Sequence, residues 1–128
     1  MLNQDVYDTA LKFLSEPGTS PASDDYLGRA PYILAAVYRE MDALDRAYRR
    51  ANGLDGAIAP EGLLLPLADD FPLCDRLAPA AAYYLASSLV FDESIDLSDR
   101  LFNLYCRCSA AVRGEISAEV LPIRDVYG

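Results

Sequence analysis

Leu27, Ala30, Leu34, Val37, Met41, Leu44 and Tyr48 follow one another at spacings of 3,4,3,4,3,4. A seam in near-heptad register, held for about six turns, dictates one long amphipathic helix that must lay its apolar face on other elements. Pro31 sits inside the stripe, and a helix-interior proline costs ~3 kcal/mol. The stripe nevertheless keeps its phase across Pro31, which predicts a single helix kinked there. Ser23 is placed to cap its start, with Asp24 and Asp25 against the positive end of the helix dipole. At the other end, "RRANG" joins Arg46, Arg49 and Arg50 to Asn52-Gly53, a sequence suited to a left-handed C-cap.

Three further helices are predicted around it. The first runs from about Gln4 to Glu16, capped by Asn3, with Val6, Ala10, Phe13 and Leu14 on one face. "EPGTSPAS" then stops it. The third runs from about Leu73 or Cys74 to Val90, with Pro79 near its first turns, where a missing N–H is tolerated. One face carries Leu77, Ala81, Tyr84 and Ser88. After the turn "FDESID", the fourth spans about Asp96 to Ser117, with Leu97, Leu101, Leu104, Cys108 and Ala111 on its stripe and Val112 and Ile116 beside it. Residues 54–73 contain three prolines and two glycines and cannot be helical. Their apolar triplet Leu63, Leu64 and Leu65 either folds back as a short hairpin over the core or packs onto another chain. The expected fold is therefore all-α: about four helices in a small bundle, a single domain over residues 1–119, and an extended C-terminal arm over 120–128. In that arm Pro122 breaks helix, and Val120, Ile123, Val126 and Tyr127 favour extended backbone.

Charge narrows the function classes. The net charge is −9, with no histidine among the 128 residues. Such a surface repels phosphate backbones and anionic lipid, which disfavours sequence-independent nucleic-acid binding and membrane docking; no specific nucleic-acid binding is expected either. The longest apolar run, Leu77 to Ala86, is ten residues, about half of what a helical span requires. Sparse cysteines and the absence of a basic-then-apolar leader point to a reducing, cytoplasmic setting.

Cys106 and Cys108 are two apart on a helix and point apart, so they cannot share a metal, and buried free thiols are expected. Asp24-Asp25, Asp69-Asp70 and Asp92-Glu93 sit at helix entrances or turns, where carboxylates serve as caps. No Ser-His or Cys-His pair can form, and no phosphate-cradling glycine loop is present. No catalytic, metal or cofactor site is expected. Tyr83-Tyr84 cannot both face one core, which leaves one ring for a second surface. Arg39, Arg46, Arg49 and Arg50 form the one basic cluster, most of it accounted for by i,i+4 pairing with Asp42 and Asp45. The cluster is also able to receive an acidic patch of another copy.

"DDYLGRAPYILAAVYREM", "LPLADDFPLCDRLAPAAAYYLASSLVFDES", "RLFNLYCRC" and "IRDVYG" together resemble the small all-helical head–tail connector (adaptor, neck) proteins of tailed bacteriophages and prophages. The resemblance spans most of residues 4–127 and is one of pattern. It implies a non-enzymatic virion component in a ring of about a dozen copies beneath a portal, found in the phage neck or in the bacterial cytoplasm. DNA passing through the assembled channel of such a ring is compatible with the absence of specific nucleic-acid binding. Leu63, Leu64, Leu65, Tyr83, Arg49, Arg50, Ile123, Val126 and Tyr127 are then the candidate contacts to neighbouring subunits and to portal or tail proteins. The alternative is a small acidic helical binding module, regulator or antitoxin-like, for a basic protein.

Overall fold

The computed structural model describes residues 1–15, 21–54, 56 and 59–117. Its longest element, α2 (Pro21–Ala51), has 31 residues and runs unbroken through Pro31, a length of about 46 Å. It begins two residues ahead of Ser23, which therefore lies in the first turn and is not the cap. Its end follows the expected chemistry. Gly53 takes φ +66, the Leu54 N–H donates to the Arg49 carbonyl at 2.9 Å, and the Asn52 N–H donates to that of Tyr48. This is a Schellman-type closure.

The buried line of α2 is Tyr26, Ala30, Leu34, Val37, Met41 and Asp45. It departs from the predicted seam at the start, where Leu27 is 48% exposed. Tyr26 replaces it because its hydroxyl donates to Glu93 Oε2 at 2.6 Å, drawing that ring inward.

The other helices are α1 (Asn3–Phe13), α3 (Ala78–Val90) and α4 (Ile95–Ser117), with a 3-10 turn at Asp75–Leu77 leading into α3. The first helix is capped by Leu2, not by Asn3. Asp5 Oδ2 accepts from the Leu2 N–H, while Asn3, fully buried, donates its side-chain amide to the Pro66 carbonyl. The helix ends at Phe13, ahead of Ser15 at φ +54.

The centre of the fold is α3, which packs against each of the other three helices. Ala80, Ala81, Ala82 and Ala86 let those helices approach closely, and Leu77, Leu85 and Leu89 are completely buried. Burying each such leucine stabilises the fold by roughly 1.5–3 kcal/mol. Pro79 falls in the first turn, where no intrahelical N–H is lost.

The buried line of α4 is Ser98, Leu101, Tyr105, Ser109, Val112 and Ile116. It lies one position away from the predicted stripe, so Ala111 is exposed and Leu97, Leu104 and Cys108 are half-buried. Small serines turn inward where the helices are closest: the Ser87 and Ser98 hydroxyls lie 3.1 Å apart, each donating to the other's backbone carbonyl. This rotation also corrects the expectation of two buried thiols, since Cys106 is exposed.

Residues 59–73 are neither hairpin nor helix. They pair with the N-terminus of the chain: the Asn3 and Gln4 N–H groups donate to the Asp69 and Leu67 carbonyls, and the Phe71 N–H to that of Met1. Leu65, Phe71 and Leu73 enter the core. The predicted C-terminal arm, 120–128, lies outside the described residues.

Candidate interaction surface

Two hydrogen bonds to α2 fix the leucine triplet. Arg39 Nη2 donates to the Gly62 carbonyl at 2.7 Å, and the Leu65 N–H donates to the Pro31 carbonyl at 2.9 Å. Gly62 sits at φ +94, a conformation that favours glycine. Between these anchors the triplet divides. Leu65 is 5% exposed and belongs to the core, which removes it from the candidate contacts, whereas Leu64 is 37% and Leu63 76% exposed. Leu63 therefore stands out from a held backbone. Tyr32, also exposed, lies two turns before Arg39 on the same face of α2. Leu63 and Leu64 are exposed on this segment, and the Arg39 guanidinium holds the Gly62 carbonyl next to them.

Tyr83 and Tyr84 do face two surfaces, and both belong to the same chain. Tyr83 stacks on Phe13 of α1 with ring centroids 4.3 Å apart. Tyr84 meets Tyr105 edge-on at 5.0 Å and Phe102 at 6.0 Å. Burial, followed by the charge of Glu40, raises the Tyr84 phenol above its ordinary range. Tyr83 is half-buried against α1.

The basic cluster is largely paired within itself. Arg46 meets Asp42 at 3.0 Å and Arg49 meets Asp45 at 2.9 Å. Asp45 is nearly fully buried, and its second oxygen accepts the Cys74 N–H at 2.8 Å, which ties α2 to the entry of α3. Burial and then hydrogen bonding to Asp45 push the Cys74 thiol up to about 11, so it is protonated and unreactive at neutral pH. Arg50 is exposed. A concavity of about 290 Å³ between these side chains is lined by Tyr38, Asp42, Arg46, Arg50 and Leu54 among others. Ile123, Val126 and Tyr127 lie outside the described residues.

A second exposed surface went unread in the sequence. Phe91 and Ile95 are 58% and 60% exposed at the turn between α3 and α4, among Asp92, Glu93 and Asp96. The turn is fixed by Arg29, whose Nη2 donates to the Leu89 carbonyl at 2.8 Å and pairs with Asp25, and by Tyr26 on Glu93. The available signal was the pair of large apolar residues within "FDESID", a run otherwise made of caps.

Among the described residues, no group of three or more His, Cys, Asp or Glu is arranged to hold a metal ion. No described helix is long and apolar enough to cross a membrane. Comparison of the chain with protein-family models, with curated proteins and with solved structures returned no match.

Proposed function

We propose that this chain is a structural assembly subunit of the phage head–tail connector type, forming part of a neck ring between portal and tail. The observation that carries the reading is the exposure of Leu63 and Leu64 on a backbone segment hydrogen-bonded to α2 at both of its ends. A mobile loop would lose much ordering entropy on docking, whereas a preordered one keeps most of its contact energy. An apolar projection held in this way suits a repeated contact between copies. The surrounding chemistry fits a scaffold, because the Arg39 guanidinium next to the projection serves to hold the backbone.

The test is assembly. Mixed with the portal protein encoded in the same genome, the chain forms rings visible by electron microscopy, and Leu63→Asp abolishes them without lowering the melting temperature. Rings that persist in Leu63→Asp would remove the loop from the interface.

A second reading, an acidic module that occupies a basic protein surface, rests on the other exposed patch. Phe91 and Ile95 ringed by Asp92, Glu93 and Asp96 would meet an apolar segment flanked by lysine or arginine. It calls for a one-to-one complex that is lost in Phe91→Asp and untouched by Leu63→Asp.

A further inference from the structure

Where the segment 60–72 crosses the start of α1 it leaves a cleft of about 210 Å³, walled by Pro60, Leu64, Pro66 and Pro72. Asn3 lies in the lining and is fully buried. Its Nδ2 donates to the Pro66 carbonyl at 2.9 Å, which fixes the orientation of the amide, because only the nitrogen can donate. Asn3 Oδ1 is thereby a buried acceptor to which no described group donates. Buried acceptors are nearly always satisfied, and one left without a donor carries a cost that a ligand bearing an N–H removes.

Three carboxylates, those of Glu61, Asp69 and Asp70, share the lining. All three residues are exposed, and among the described residues no arginine or lysine forms an ion pair with them. The cleft is therefore rich in acceptors and negative charge, with apolar walls. A divalent ion needs its oxygens on one shell at about 2–2.6 Å, and these carboxylates are not arranged to form one. A guanidinium answers the arrangement better. It spreads five N–H donors over a planar fork, and it is weakly hydrated enough to lie against apolar surface. The cleft is also held in shape, since the Leu65 N–H donates to the Pro31 carbonyl and the Asn3 N–H to the Asp69 carbonyl.

We propose that this cleft binds an arginine side chain of a docking protein. The guanidinium donates to Asn3 Oδ1 and meets the carboxylates of Glu61 and Asp70, and its stem lies along Leu64 and the prolines. Leu64 is shared with the assembly surface, so the arginine comes from the chain that covers Leu63 and Leu64. That source rests on the assembly reading. The chemistry of the cleft does not, and a small-molecule titration of the isolated chain reads it with no assembly in play.

The probe is N-acetyl-arginine methylamide, followed by nuclear magnetic resonance of the isotope-labelled intact chain. Expected is saturable binding with a Kd on the order of millimolar, which shifts the Asn3 side-chain amide and the Leu64 and Leu65 methyls. The citrulline analogue, equal in shape and uncharged, is expected to bind at least about tenfold more weakly. The lysine analogue is expected to bind about threefold more weakly, as a compact and strongly hydrated cation. Glu61→Gln and Asp70→Asn are each expected to weaken the arginine analogue by about threefold, with the melting temperature unchanged. No saturable shift at these groups up to about 50 mM overturns the proposal, as does binding that neither variant weakens. Equal binding of the citrulline analogue overturns it by making the cleft a general apolar crevice, and tighter binding of the lysine analogue by removing the guanidinium preference. Saturation of the same groups by calcium chloride alone below about 1 mM overturns it in favour of a metal site.

Discussion

Asp45 shows how one side chain can set a junction in this fold. It is a carboxylate on the apolar face of α2, and it remains there because it accepts from the Cys74 N–H and pairs with Arg49. Asp45→Ala would leave the Cys74 N–H buried without an acceptor and take one partner from Arg49. Loss of about 2–4 kcal/mol in urea unfolding is expected. Cys74 itself titrates far above the ordinary thiol range, at about 11. The native state thus holds its proton more tightly than the unfolded chain does. That contribution is complete below pH ~9 and is lost as pH rises toward 11. Thermal melts should fall over this window, and Cys74→Ala should flatten the decline. Brief alkylation at pH 8 followed by mass spectrometry should label exposed Cys106 first and Cys74 only after unfolding.

At the scale of elements, the helices were legible because apolar spacing reports the helical period directly. The rotations of their faces were not. In α4 the inward residues include Ser98, which pairs with Ser87 of α3, and Tyr105, which meets Tyr84, so a count of leucines pointed one position astray. In α2 the ring of Tyr26 displaced Leu27 because a glutamate 67 positions later accepts its hydroxyl. Such pairings join residues distant in sequence, and no local period carries them. The same holds for the leucine triplet: its adjacency to the N-terminus and to Pro31 follows from tertiary hydrogen bonds. Tyr83 and Tyr84 pack on α1 and α4 respectively, so Tyr83→Ala and Tyr84→Ala should each cost about 1–3 kcal/mol in denaturant unfolding. Leu65→Ala should cost about 2–4 kcal/mol, whereas Leu63→Ala should change stability by less than about 0.5 kcal/mol.

The described residues form a bundle organised about α3, and exposed apolar side chains project from it at Leu63 and Leu64, on the segment beside α2, and at Phe91 and Ile95, at the α3–α4 turn. The candidate surface was half legible. An apolar triplet in a proline-rich stretch announces surplus leucine, but only the fold shows that Leu65 is taken into the core while Leu63 is left outside it. The assembly reading depends on that division. Its most direct measurement is the oligomeric state of wild type and Leu63→Asp with the portal protein encoded in the same genome, read by electron microscopy and mass photometry. The account predicts closed rings for wild type and none for a Leu63→Asp chain of unchanged melting temperature. A wild-type chain that associates with neither portal nor tail component, or a Leu63→Asp chain that still forms rings, would contradict it.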